Sequence, residues 1–118
     1  MQLKEIATAL GLNVKTGAHL LDREVSGGYA GDLLSDVLAH ASPADIWVTL
    51  QIHANIVAVA SAKDLAGIII VQGRTPEPDT LRKAEEENVP IMVSGSSTYD
   101  VVCRLCALQG KGHADVQG

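Results

Sequence analysis

Four short polar segments carry the residue types able to do chemistry: Gly27-Gly28-Tyr29-Ala30-Gly31-Asp32, Gln51-Ile52-His53-Ala54-Asn55, Gln72-Gly73-Arg74-Thr75 and Ser94-Gly95-Ser96-Ser97-Thr98. In the first, Gly27, Gly28 and Gly31 stand before a helix, where bare backbone N–H groups could form a nest around an oxyanion. A tight turn with Asp32 capping that helix uses the same residues without a ligand. In the second, Gln51, His53 and Asn55 offer hydrogen-bonding groups, and a histidine there titrates near neutral pH. Local capping is the competing role for His53 and Asn55. In the third, Arg74 follows Gln72 and Gly73, and its planar fork matches a carboxylate or a phosphate. Pairing with the acidic run Glu85-Glu86-Glu87 is the alternative. The serine cluster, with Asp100 three residues after Ser97, reads as a capping box for a last helix.

Several catalytic schemes are excluded on pattern. No Gly-Lys-Ser or Gly-Lys-Thr occurs, so there is no lysine to reach phosphates from a P-loop and no hydroxyl for its magnesium. Gly27 to Gly31 also fails G-x-G-x-x-G, and no G-x-S-x-G elbow surrounds Ser96 or Ser97. Cys103 and Cys106 spell C-x-x-C, yet a zinc site needs two more ligands and only His113 is close in sequence. The expected role of both cysteines is core packing, since a redox pair normally opens a helix rather than sitting in its later half. No catalytic residue, metal or cofactor is therefore expected.

The elements that must position these segments alternate along the chain. Leu3, Ile6, Ala7 and Leu10 recur at helical spacing before Gly11. Leu12, Val14 and Thr16 alternate as in a half-buried strand, and a second short strand is expected at Glu24-Val25-Ser26. Leu33, Leu34, Val37, Leu38 and Ala41 form the inward face of the clearest amphipathic helix, which Pro43 ends. Ile46 to Leu50 reads as a strand. Asn55 to Leu65 is ambiguous by composition. It is assigned to a helix because it joins two strand-like runs, and a crossover helix lets both pair in parallel. Gly67 to Val71 is a continuous apolar run, the central strand of the sheet. Pro76 and Pro78 open a helix with Leu81 and Ala84 that Asn88 and Pro90 close. Ile91-Met92-Val93 is another buried strand, and Ser97 to Leu108 is the last helix, with Val101, Val102, Leu105 and Leu108 facing inward. The expected class is α/β, a mainly parallel sheet with helices packed on it, forming a single domain over residues 1–108. Residues 109–118 are expected to form a polar, flexible tail.

Composition narrows the partners. A chain of 118 residues at 47% hydrophobic content supports one core. The net charge of -5 and the scattered Lys and Arg leave no basic stripe for phosphates, and Tyr29, Trp47 and Tyr99 are the whole aromatic set, so nucleic acid is not an expected partner. The N-terminus is charged in its first turn, and no apolar run reaches the roughly 18 residues of a bilayer span. With two cysteines and no export signal, the expected location is the cytoplasm, with no membrane contact.

In an open α/β sheet, ligands bind beyond the carboxyl ends of the strands. That rule selects Gly27, Gly28, Gly31, Asp32, Gln51, His53, Asn55, Gln72, Gly73 and Arg74 as the candidate ligand set.

The stretches Val25 to Asp36, Asp45 to Thr49, His53 to Ala60 and Leu65 to Gly73 together resemble stand-alone DRTGG-domain proteins over about residues 1 to 108. Asp22-Arg23 is a candidate for the eponymous pair, and Val71-Gln72-Gly73 stands where Thr-Gly-Gly would be expected. Such domains are accessory modules of HPr kinase/phosphorylase-like proteins, some CBS-domain pyrophosphatases and some phosphotransacetylases. The resemblance therefore implies a regulatory or oligomerising module, commonly a homodimer, with a small anionic effector such as a nucleotide or phosphorylated metabolite. Lacking the P-loop lysine, the chain is not expected to act as an HPr kinase. The readings kept beside this one are a small phosphate-directed enzyme using the same strand-end residues, and a structural subunit for a protein partner.

Overall fold

The computed structural model describes residues 1–110. Five short segments extend as strands, β1 (Asn13–Thr16), β2 (Gly27–Ala30), β3 (Asp45–Thr49), β4 (Gly67–Ile70) and β5 (Ile91–Val93), and the inner three are the apolar ones. They form one sheet in the order β1-β5-β4-β3-β2. The pairs β2–β3, β3–β4 and β4–β5 are parallel, and β1 closes the far side antiparallel to β5. Parallel neighbours need crossovers, and helices supply them: α2 (Leu34–His40), α3 (Asn55–Ala62) and α4 (Pro78–Glu86). The helical assignment of Asn55 onward is correct, for that topological reason.

Strand periodicity divides the core in two. Ile46, Val48, Ile69 and Met92 face α1 (Leu3–Leu10) and α5 (Thr98–Leu108), while Trp47, Ile68, Ile70 and Ile91 face α2, α3 and α4. Every residue of β3 and β4 is buried, as a strand covered on both faces requires. Ile68, Ile69 and Ile70 are wholly inaccessible, and burying each such side chain is worth about 1.5–3 kcal/mol.

Local signals end the elements where the sequence places them. Gly11 takes φ 64° and returns its N–H to the carbonyls of α1. Ser97 caps α5 by accepting from the Asp100 N–H, and Pro78 opens α4. After β1, Thr16 donates its hydroxyl to the Val89 carbonyl and accepts from the Ile91 N–H, both at 2.8 Å, at the irregularity between β1 and β5. Gly17 follows at φ 73°, and a Cβ there would come within 2.8 Å of the Pro90 backbone. Only glycine fits both demands.

Four expectations are corrected. The strand expected at Glu24-Val25-Ser26 is a single bridge between Gln2 and Glu24, and the true strand, β2, begins at Gly27. Glycines lack strand propensity, but the ladder offered by the buried β3 outweighs that deficit. The inward face of α2 is narrower than its spacing suggests: Val37 and Ala41 are buried, whereas Leu33 and Leu38 are 67% and 43% exposed. At seven residues on the outer strand, α2 has too little sheet beneath it to cover the whole stripe. Cys103 is exposed and packs in no core, while Cys106 is half-buried. Finally, Gln109, expected in the tail, is the C-cap of α5, and its side-chain amide reaches the Gly27 carbonyl at 3.4 Å. The rest of the expected tail, from residue 111 on, and His113 with it, lie outside the described residues.

Candidate functional site

Parallel β2, β3, β4 and β5 bring their carboxyl ends to one edge of the domain, and the loops leaving them build a polar cluster there. Asp32, two residues beyond β2, is its first member. The Asp32 carboxylate accepts from the Thr49 hydroxyl at 2.9 Å and from the Leu50 N–H at 2.7 Å. The Asp32 carbonyl accepts from the Gln51 side-chain amide at 2.8 Å. Asp32 is thus a clasp between the ends of β2 and β3. It does not cap α2, whose preceding residue is Leu33 and which has no side-chain cap.

Arg74 enters from β4. Gln72 and Gly73 take φ 61° and 63°, two consecutive left-handed residues that reverse the chain directly after the strand. A non-glycine residue there costs of order 1 kcal/mol or more, so the turn must be held from outside. Two backbone bonds do this: the Gln72 N–H to Ser96 and the Gly73 N–H to Ser94, both at 2.8 Å. The reversal lets the Arg74 guanidinium donate to the Leu50 carbonyl at 2.6 Å, over the end of β3. Among the described residues no carboxylate pairs with Arg74, so the expected alternative of pairing with the Glu85 run is not what the structure shows. Glu85 instead accepts the Gly17 N–H at 2.9 Å.

Of the ten residues singled out from the sequence, Gly31, Asp32, Gln51, Gln72, Gly73 and Arg74 lie at this edge. The rest do not join it. Gly27 and Gly28 lie within β2, with backbones committed to a strand, so the glycine nest expected there does not form, and neither does the alternative tight turn. His53 accepts the Asn55 N–H on Nδ1 at 3.1 Å, the local capping role. His53 and Asn55 line an open groove of about 670 Å³ between α3 and α4, with Asp79 and Lys83 opposite.

Residues missed in the sequence complete the picture. Thr49 is a buried hydroxyl at the end of an apolar strand, and that placement is the signal that could have found it. Ser94 and Ser96, read as caps, hold the turn before Arg74. Behind the edge, the Tyr29 hydroxyl donates to Asp36, which also approaches Nδ1 of His40 at 3.1 Å. The Tyr29 hydrogen bond holds the Asp36 carboxyl below its usual range, helped by His40, and the same bond raises the Tyr29 phenol.

Every buried side-chain N or O among the described residues has a partner. The edge is therefore prebuilt: its polar atoms hold one another in place and leave the outer guanidinium of Arg74, the exposed Gln72–Gly73 turn and the half-buried Gln51 toward solvent. Such an arrangement can bind and orient an anion. The Thr49 hydroxyl that meets the Asp32 carboxylate is fully buried, out of reach of a substrate, and among the described residues no group of His, Cys, Asp and Glu side chains is placed to hold a metal. No helix among them is long and apolar enough to cross a membrane.

Fold and edge together define an α/β domain with a polar cluster at its strand ends. Residues 5–108 match the DRTGG domain family, most of the 118-residue chain, and the chain belongs to that family. Among solved structures, it is similar to the CBS and DRTGG domains of the regulatory region of Clostridium perfringens pyrophosphatase, complexed with the activator diadenosine tetraphosphate. That likeness has a TM-score of 0.66 at 14% identity and covers 88% of this chain and 45% of the other, so it establishes the fold. The chain spans under half the length of that structure. A search of the curated proteins finds no match.

Proposed function

We propose that the chain is a non-catalytic regulatory domain that senses a small anionic ligand, a nucleotide or a phosphorylated metabolite, at the carboxyl edge of its sheet. It works as a homodimer in the cytoplasm. The single observation that carries the reading is Arg74: a guanidinium fixed by Leu50 at the ends of the parallel strands, beside Gln51 and a strained turn, and meeting no carboxylate among the described residues. Strained backbone concentrates where binding needs preorganisation, and Arg is the side chain suited to a phosphate. The pyrophosphatase regulatory region, solved with a nucleotide activator, supports the class of ligand.

A thermal-shift panel of nucleotides and phosphorylated metabolites, read beside light scattering, tests it. A ligand that binds only the folded state at about 100 times its Kd adds about 2.7 kcal/mol of stability, roughly 10 °C in Tm for a domain of this size. One member of the panel is expected to raise Tm in this way, on a particle of twice the chain mass. No shift across the panel contradicts the sensing role.

A further inference from the structure

We propose that β2 is where a second copy of this chain docks, edge to edge and antiparallel, so that the two sheets run on as one across a twofold axis. This rests on the homodimer named above and is independent of its ligand. β2 ends the sheet, and among the described residues no strand lies beyond it. The Gly31 N–H, rather than that of Ala30, reaches the Val48 carbonyl at 3.1 Å, so by the alternation of a strand the backbone groups of Ala30 face away from β3. Gly28 and Ala30 are exposed. The strand Gly27–Ala30 carries neither a charge nor a proline, the devices that ordinarily blunt an edge.

Each flank of this edge carries apolar side chains. On the α2 side, Leu33 and Leu38 are two of the three large hydrophobic side chains left exposed among the described residues. On the α5 side, the small residues of β2 leave a cavity of about 140 Å³ walled by Val48, Val102 and Cys106. A twofold axis sets each patch against its own copy. Leucines and a bare strand edge complement themselves under that operation, whereas like charges repel. The chain carries a net charge of -5, whereas the strand itself carries none, and the carboxylate bonded to it, Asp36, is held by the Tyr29 hydroxyl and by His40, so this edge is where two copies can meet.

Sedimentation equilibrium on the full chain without ligand decides it, using wild type, Ala30→Lys, the double variant Leu33→Asp/Leu38→Asp, and Tyr99→Asp. Tyr99 is 78% exposed on the first turn of α5, outside the cavity beside β2, and serves as the control. All the substituted side chains are exposed, and circular dichroism verifies that each variant is folded. Wild type and Tyr99→Asp are expected to dimerise alike, while the other two raise the dimer Kd by about tenfold or more. A dimer that survives both edge variants overturns the docking surface and leaves the homodimer standing. A wild-type chain that stays monomeric overturns both, whether or not the ligand panel shifts its Tm.

Discussion

The Asp32 carboxylate accepts a hydrogen bond from the Thr49 hydroxyl at 2.9 Å, tying the loop after β2 to the last residue of β3. The Leu50 N–H shares that carboxylate, and Leu50 in turn gives its carbonyl to Arg74. Three strand ends are thus registered by a short chain of polar contacts, with Thr49 fully buried at its root.

Asp32→Ala removes the acceptor and leaves the Thr49 hydroxyl buried without it. A loss of about 1–3 kcal/mol is expected, read as a lower midpoint in urea with an unchanged m-value. Thr49→Val removes the donor together with the longer acceptor contact to the Gln51 N–H at 3.2 Å, and is expected to cost less than Asp32→Ala, which also strips the Leu50 N–H of its acceptor. The reverse order would show that Asp32 does not hold this edge.

Stability should respond to pH through Tyr29 and Asp36. The folded-state Asp36 pKa lies below its unfolded value, so its contribution is present above the unfolded value and is lost as pH falls through the folded one. The Tyr29 pKa is raised, so its contribution is present below the unfolded value and is lost as pH rises toward the folded one. Wild type is therefore expected to melt higher than Tyr29→Phe at neutral pH. That gap closes below about pH 4 and again above about pH 10. A gap that does not vary with pH would mean that the hydroxyl contributes by packing alone.

The cysteines should separate by accessibility. Cys103 is exposed and Cys106 half-buried beside β2. An aromatic disulfide reagent at neutral pH is expected to titrate one thiol rapidly and the second slowly in the native protein, and both together in urea. Equal native rates would contradict the packing of α5 against β2 and β3.

Much of this architecture is legible in the residues. Ile68-Ile69-Ile70 reads as a buried central strand because a continuous apolar run needs cover on both faces, and Gly11 and Ser97 mark helix ends through their own backbone chemistry. Two of the misreadings share one physical origin. Gly27 and Gly28 become a strand because β3 presents a ladder to them, and Leu33 and Leu38 stay outside because the sheet ends at β2. Both depend on where a neighbouring element stops, which no local pattern encodes. At the site, the rule of strand ends points to Arg74, but its hold on Leu50 follows from two left-handed residues, one of them Gln72, a residue type that gives no warning of that conformation.

The account stands most directly on the affinity of the edge for an anion through Arg74. Isothermal titration of wild type and Arg74→Ala with the nucleotide or phosphorylated metabolite that most raises Tm measures it. Saturable binding to wild type is expected, weakened by about 10- to 100-fold in Arg74→Ala, the loss of one charged hydrogen-bonding group. The two proteins should melt within about 2 °C of each other without ligand, since Arg74 is exposed and its bond to Leu50 is made in solvent. Equal affinity in the two proteins, or no binding to wild type by any member of the panel, would contradict the account.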